Sequence, residues 1–438
     1  MISDPIVALA TAAGRSALAV VRLSGDGAFD IACRVIAGFS SDPPRTATLA
    51  TFQTPDGIRI DRGLYLAFPA PASYTGEDMV ELSCHGGLSV PPRLLAALHA
   101  AGARPAAPGE FTRRAVLNGK LDLVQAEAVG DLIDANAPAQ ARVALEQLEG
   151  GLSRRLGELR ESLLDLQAML GYEIDFPDED DGPVPIERIA ERAADVSRRI
   201  ERLIATAPAG ERLREGALVV LAGRPNAGKS SLFNALLGTG RALVTETPGT
   251  TRDAIEAHTD VLGWPVRLVD TAGLWEGEDV IDRLSVEVSR RYLAAADLVL
   301  LCVEGDRSPG PDESELVTGR HLLLVRTKSD LHATDDGVSA RTGHGLDTLR
   351  QRLAAELFGA AASLVDLEPG LTRERHRVAL ARARDALAAA QPHLLRGGDP
   401  VLASHHVREA MLALDELLGA IDVEEVLGRV FASFCVGK

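Results

Sequence analysis

The chain has 438 residues, 46% of them apolar and 25% charged, a composition that supplies full hydrophobic cores and excludes a disordered, collagenous or disulfide-scaffolded protein. At roughly 150 residues per domain, this length suggests about three domains. Lys and Arg number 46 against 63 Asp and Glu, a net charge of −17; this excludes a surface coated in basic residues for nucleic acid, but not a local basic patch or a partner that supplies one.

Residues 1–118 mix short β-like runs with turn clusters. Ala17–Leu23 (ALAVVRL) reads as a strand followed by the turn residues Ser24-Gly25-Asp26-Gly27. Leu64–Phe68 and Met79–Cys84 read as further strands, and Leu94–Ala101 as a helix ended by Gly102. A small α+β domain is expected. From 119 to 212 the period becomes helical: Leu152, Leu156, Leu159, Leu163, Leu166 and Leu170 recur at three- and four-residue spacing and mark one apolar face. The acidic stretch Asp175–Pro185 (DFPDEDDGPVP) reads as a solvated loop between helices. From 213 to 371 strand candidates alternate with helices: Leu218–Ala222, Val266–Val269, Leu298–Val303 and Leu322–Val325. That alternation predicts a parallel sheet covered by helices. From 372 to 438 the chain is helical again, so an α/β domain inserted into an all-α helical domain is expected. Arg373, Arg375, Arg377, Arg382 and Arg384 are either a local basic patch or helix-face charges in water.

The cysteines Cys33, Cys84, Cys302 and Cys435 form no Cys-x-x-Cys pair, which argues for a reducing compartment. Asp4 stands where a signal peptide carries positive charge, and no stretch approaches the roughly 20 apolar residues that span a bilayer. A cytoplasmic protein without membrane association is expected.

Gly223-Arg-Pro-Asn-Ala-Gly228-Lys229-Ser230 fits Gly-x-x-x-x-Gly-Lys-Ser, after the strand-like ALVVLA and before the helix-like SSLFNALLG. In such a loop the backbone N–H groups and the helix N-terminus cradle phosphate. Lys229 is expected to reach the β- and γ-phosphates and the Ser230 hydroxyl to ligate Mg²⁺. Gly249-Thr250-Thr251-Arg252-Asp253 supplies hydroxyls for the γ-phosphate and the metal. Asp270-Thr271-Ala272-Gly273 places a carboxylate toward Mg²⁺ and the Gly273 N–H toward the γ-phosphate. Thr327-Lys328-Ser329-Asp330 and Ser339-Ala340-Arg341 follow. In order and spacing these motifs resemble the guanine-nucleotide set of the translation-factor-like GTPases. Asp330 can accept from guanine N1–H and N2–H₂, a donor pair adenine lacks, so GTP is expected. Thr327 stands where that set has Asn. Leu274 stands where many GTPases carry a water-orienting Gln, so that role falls to another group. Asn226 either holds a monovalent cation, with Thr245, Thr247 and Thr250 completing the cage, or only braces the loop.

Three further segments carry a more specific resemblance: Thr11–Gly25 (TAAGRSALAVVRLSG), Tyr74–Gly87 with Pro108–Ala128, and the ending Phe434-Cys435-Val436-Gly437-Lys438. With the GTPase motifs they make the chain resemble, from end to end, the MnmE (TrmE) family of tRNA modification GTPases. The resemblance implies an N-terminal folate-binding and dimerising domain (1–118), a helical domain in two parts (119–212 and 372–438) and an inserted P-loop GTPase domain (213–371). It implies a homodimer that works with the flavin-binding partner MnmG on the wobble uridine, position 34, of certain tRNAs. An aminomethyl or carboxymethylaminomethyl group is added at carbon 5, methylenetetrahydrofolate supplies the one-carbon unit, and hydrolysis of GTP is K⁺-stimulated.

The site residues so implied follow the motifs. GTP contacts fall on Asn226, Ala227, Gly228, Lys229, Ser230 and Ser231, on Thr245, Glu246, Thr247, Pro248, Gly249, Thr250 and Thr251, on Asp270, Thr271, Ala272 and Gly273, and on Thr327, Lys328, Asp330, Ser339 and Ala340. Mg²⁺ falls to Ser230 and Thr251, and K⁺ to Asn226, Thr245, Thr247 and Thr250. Folate contacts fall on Arg22, Glu81, Lys120 and Lys438. Asp282 stands where the family has a Glu that positions water, one methylene shorter. Cys435 is either a reactive thiol in the uridine chemistry or an inert one. A GTPase switch in ribosome assembly is the competing reading, and a folate-dependent methyltransferase with an added GTPase is a third. A plain switch has no need of Glu81, Lys120 or the Cys-Val-Gly-Lys ending.

Overall fold

A computed structural model describes residues 4–175, 185–238, 243–245, 255–270, 290–332, 336–365, 370–419, 434 and 437. The chain divides into two compact units, Met1–Gly130 with Asp415–Lys438, and Asp131–Leu414.

The first unit contains β1 (Ile6–Leu9), β2 (Leu18–Ser24), α1 (Ala28–Val35), β3 (Thr48–Gln53), β4 (Arg59–Phe68), β5 (Met79–His85), α2 (Val90–Ala100), β6 (Arg104–Pro105), α3 (Glu110–Leu117) and most of α4 (Leu123–Asp134). Its sheet runs β3-β4-β5-β2-β1-β6, antiparallel except for the β1–β6 pair. Side chains alternate across a strand, so Ala19, Val21 and Leu23 of β2 turn inward and are buried. They pack with Ile31 and Val35 of α1 and Leu94 and Leu98 of α2. The same alternation turns Arg22 to the other face, and the β2–β5 register sets it opposite Glu81. The strands expected at 17–23, 64–68 and 79–84 are β2, the second half of β4, and β5. The expected helix at 94–101 forms the latter part of α2, and Gly102 follows it at φ 113°, a conformation only glycine adopts freely.

The second unit contains α5 (Pro138–Leu148), α6 (Gly151–Asp175), α7 (Ile186–Ile204), α8 (Ala207–Glu215), β7 (Ala217–Ala222), α9 (Lys229–Leu237), β8 (Leu243–Thr245), β9 (Ile255–Val261), β10 (Trp264–Asp270), β11 (Leu298–Glu304), α10 (Pro311–Val317), β12 (Leu322–Thr327), α11 (Leu346–Val365), α12 (Glu374–Ala390), a 3-10 turn (Gln391–Leu394) and α13 (Pro400–Leu418) as far as Leu414. The leucine stripe of α6 is buried along its length, as is the stripe Ile189, Ala193, Val196, Ile200 and Leu203 of α7. Each buried Leu, Ile or Val side chain contributes roughly 1.5–3 kcal/mol relative to exposure. Helix α7 packs on both α6 and α12, so helices from before and after the sheet form one body and the α/β part is an insertion between them.

The inserted sheet runs β12-β11-β7-β10-β9-β8. Strands β12, β11, β7 and β10 are parallel. The expectation of a wholly parallel sheet is corrected at its other edge, where β9 is antiparallel to β10 and β8 antiparallel to β9. The cause is local: Leu262 and Gly263 both take positive φ, 54° and 90°, the two-residue turn that folds adjacent strands into a hairpin. Central strand β7 (ALVVLA) is buried throughout, whereas edge strand β12 alternates, as two covered faces and one demand.

Where the chain crosses between the helices and the inserted sheet, polar side chains and a missing side chain fix the path. Asp131 Oδ1 accepts from Arg214 Nε at 2.9 Å and Arg373 Nη2 at 2.7 Å. Gln147 Nε2 donates to the Gly370 carbonyl at 3.1 Å, and the Leu371 N–H to Thr206 Oγ1 at 3.0 Å. Gly210 lies so close to the Leu371 carbonyl that a Cβ there would collide with it. Gly210→Ala is therefore expected to lower the unfolding free energy by about 1–3 kcal/mol. In α6, Gly157 faces open space, and Gly157→Ala is expected to raise it by about 0.5–1 kcal/mol; urea unfolding of both variants checks the pair.

Candidate functional site

Parallel strands bring their C-terminal ends to one edge of a sheet, which is where such sheets hold ligands. Here that edge gathers the loop after β7, Asp270 at the end of β10, and Thr327 at the end of β12. The loop Gly223–Gly228 turns through residues with positive φ: Gly223 at 136°, Asn226 at 62° and Gly228 at 86°. A Cβ on Gly223 would strike the Cys302 carbonyl of β11, so the close approach of loop and strand requires glycine. Asn is among the few other residues that tolerate the left-handed region, and Asn226 is exposed there.

Lys229 opens α9 and is only 5% exposed. Its Nζ donates to the carbonyls of Gly223 and Arg224, each at 2.9 Å. Burial pulls its pKa down from the ordinary value, against the pull of the Asp270 charge. Asp270 is 4% exposed, and its Oδ1 is buried without a partner among the described residues. A buried carboxylate oxygen with spare lone pairs suits a hydrated Mg²⁺. Ser230 and Ser231 are exposed at the start of α9.

The β12 end completes the edge. Thr327 Oγ1 is buried and 2.6 Å from the Ala227 carbonyl of the phosphate loop, so the hydroxyl ties β12 to that loop. Lys328, at φ 58°, pairs with Glu304 at 2.8 Å. Ser339 Oγ donates to Asp330 Oδ1 at 2.7 Å and holds that carboxyl below its usual range. Ala340 follows the fully buried Ser339. The sequence reading missed a second tie. Arg224 of the loop lies 3.8 Å from Glu313, which Arg307 grips at 2.7 Å and the Gly310 N–H at 2.8 Å. The signal was present in Gly310-Pro-Asp-Glu313, with Pro at the first helical position and Glu two positions later.

Several expected residues lie outside the described ones: Glu246, Thr247, Pro248, Gly249, Thr250, Thr251, Thr271, Ala272, Gly273, Leu274, Asp282, Cys435 and Lys438, the side chain of Thr245, and all but the ends of the acidic stretch 175–185. The described cysteines are unpaired. Burial pushes the Cys302 thiol up to about 12 and the Cys84 thiol up to about 11. Arginines of 373–384 are engaged in ion pairs: Arg373 with Asp131, Arg377 with Glu211 and Glu374, Arg384 with Asp385.

In the first unit, Arg22 Nη2 and Nε lie 2.7 and 3.0 Å from Glu81 Oε1. The guanidinium also sits 5.3 Å from the centre of the Tyr74 ring and 5.6 Å from that of Phe111, favourable cation–π placements. Tyr74 is tied to Thr112 at 2.8 Å, and burial raises its pKa. Lys120 Nζ donates to the Pro71 carbonyl at 3.0 Å, its stem beside Gly76. Arg22, Glu81 and Lys120 thus gather around the segment 71–81, with Arg22 placed on Glu81 itself.

Arg114 anchors that segment from below. It is 2% exposed, and it meets Glu77 at 3.1 Å, Glu110 at 2.9 Å and Asp4 at 3.2 Å. Burial of this kind is tolerated only with opposite charge close by, and three carboxylates supply it through Nη1 and Nη2. Glu110 also receives Arg104 and the Ala107 N–H, both at 2.8 Å. Burial raises the Glu110 pKa, but these bonds outweigh it and bring it to about 2 from an ordinary 4.5. Its contribution to stability is thus complete above pH 4.5 and lost as pH falls toward 2. Glu110→Gln is expected to flatten the acid limb of the stability–pH curve, as acid unfolding of both proteins reads directly.

The comparisons with known proteins span both units. Residues 5–120 match the family profile described as "GTP-binding protein TrmE N-terminus" and residues 123–435 that of the "MnmE helical domain". Proteins named tRNA modification GTPase MnmE are similar along their whole length. That of Thermus thermophilus is 47% identical over 448 residues, 99% of each chain. That of Methylorubrum populi is 45% identical over 451 residues, 99% of this chain and 98% of its own. That of Akkermansia muciniphila is 41% identical over 452 residues, 100% of each. With the Gly223–Gly228 loop and the end of β12 joined at one sheet edge, and with relatives matched from end to end, the chain belongs to the MnmE family of tRNA modification GTPases.

Proposed function

We propose that this chain is the GTP-hydrolysing subunit of a complex that adds an aminomethyl or carboxymethylaminomethyl group to carbon 5 of the wobble uridine, position 34, of certain tRNAs. The observation that carries this reading is the length of the match, which includes the first unit and is not confined to GTPase motifs. A ribosome-assembly switch has no use for the Arg22–Glu81 cluster.

In this reading Lys229 and the loop amides hold the phosphates, Ser230 and Thr251 hold Mg²⁺ with Asp270 through water, and Asp330 reads guanine. Mg²⁺ supplies charge neutralisation for phosphoryl transfer. Asp282 positions the attacking water. Glu81, Arg22, Lys120 and Lys438 bind methylenetetrahydrofolate, where a carboxylate suits the amino and ring N–H edge of a pterin. Cys435 takes part in the uridine chemistry. The chain acts as a homodimer with the flavin-binding partner MnmG. With net charge −17 and its 373–384 arginines paired, the partner carries much of the tRNA-binding surface. Among the described residues no helix is long and apolar enough to cross a membrane, and a cytoplasmic place fits the reading.

Nucleoside mass spectrometry of tRNA from cells lacking the protein tests the proposal. Loss of 5-substituted wobble uridines and their return on rescue are expected; unchanged nucleosides, with no second enzyme present, overturn it. Two variants probe the nucleotide site. Thr327→Val leaves the Ala227 carbonyl without its partner. It is expected to cost about 1–2 kcal/mol, or about 5–30-fold in GTP affinity, with guanine preference retained through Asp330; nucleotide titration reads both. Asn226→Ala is expected to abolish the advantage of K⁺ over Na⁺ in GTP hydrolysis. Equal rates of the unaltered protein in the two salts remove the cation from the account.

A further inference from the structure

Outside these sites, and among the described residues, one cluster has the composition and spacing of a metal centre. His405, His406 and Glu409 lie on α13, where residues three and four apart share a face. Glu409 reaches both imidazoles: Oε2 is 3.0 Å from His406 Nδ1, and Oε1 is 3.6 Å from His405 Nε2. One donor atom from each of the three residues lies within 4.8 Å of the others. Donors bonded to one tetrahedral zinc at about 2.0–2.1 Å stand about 3.3 Å apart, so modest rotation of these exposed side chains brings the three donors onto one ion.

We propose that His405, His406 and Glu409 bind a divalent transition-metal ion, with Zn²⁺ the best suited. Two imidazole nitrogens and one carboxylate oxygen match the preference of Zn²⁺, Ni²⁺ and Cu²⁺; Mg²⁺ and Ca²⁺ want oxygen donors and are poorly served. The side chains of His405 and Glu409 are 62% and 50% exposed, so the ion has a path from solvent and water fills its remaining positions. His406 is less exposed, at 25%, and the ring of His393 stacks on it with centroids 6.0 Å apart and planes tilted by 26°. His393 comes from the 3-10 turn Gln391–Leu394, so the site stands where that turn and α13 meet. None of these residues belongs to the nucleotide or folate clusters.

The test is calorimetric titration of Zn²⁺ into untagged, chelator-stripped full-length protein, with Co²⁺ absorption as a second readout. One ion per chain is expected, with a Kd on the order of 1–10 μM. The double variant His405→Ala, His406→Ala and the single Glu409→Ala are each expected to weaken binding at least about tenfold, a loss of about 1.4 kcal/mol. Far-UV dichroism and GTP hydrolysis stay unchanged in both. Absence of binding below about 1 mM overturns the proposal. Unaltered affinity in the variants does so too, because it places the ion elsewhere, for instance on the cysteines.

Discussion

A lysine ammonium is costly to bury, and Lys229 is buried at the start of a helix. The fold around it answers that cost. Carbonyls of Gly223 and Arg224 accept hydrogen bonds from it, which requires the loop to curl back on itself. The curl requires positive φ at Gly223, Asn226 and Gly228, and the fit against β11 requires that Gly223 lack a side chain. Asp270 adds a compensating charge from β10. Thr327 and Glu313 then hold the loop from two further directions. A site for a polyanion is thus shaped in the fold itself: a positive charge held in place by strands whose C-terminal ends converge.

A second constraint follows from the insertion. The sheet domain is joined to the helices by two chain crossings, and Asp131 bonds arginines from both. Gln147 and Thr206 reach the outgoing chain, and Gln140 Nε2 reaches the Arg214 carbonyl of the incoming chain at 2.8 Å. Helix α5 adds Ala139 and Val143 to the sheet's own core. The inserted domain is therefore packed against its helical neighbours and does not hang from two flexible tethers.

Much of this was legible in the sequence where one physical rule dominates. The leucine stripe of α6 and the buried run of β7 follow from periodicity alone, and the glycines of the phosphate loop from its required backbone. The rest depended on contacts between distant residues. The β9–β10 hairpin was hidden because Leu262, a residue that seldom takes positive φ, occupies its turn. The ion network of Arg114 joins residues from Asp4 to Glu110 and has no periodic signature. Thr327 read only as a replacement for the Asn of the usual set, yet its hydroxyl bonds the Ala227 carbonyl and helps fasten the Gly223–Gly228 loop. Arginines at 373–384 read as either a basic patch or helix-face charges in water, and the partners of Arg373 and Arg377 on α4 and α8 come from far along the chain. Arg22 and Glu81, read as separate ligand contacts, proved to be cross-strand partners.

In the proposed function, one chain couples GTP hydrolysis at the Lys229 loop to one-carbon transfer onto tRNA. Reconstitution with the flavoprotein partner, ¹³C-labelled methylenetetrahydrofolate and undermodified tRNA tests it most directly. The label is expected at carbon 5 of the wobble uridine with the unaltered protein and GTP, and to be lost with Lys229→Ala. Equal labelling with Lys229→Ala, or none with the unaltered protein, contradicts it.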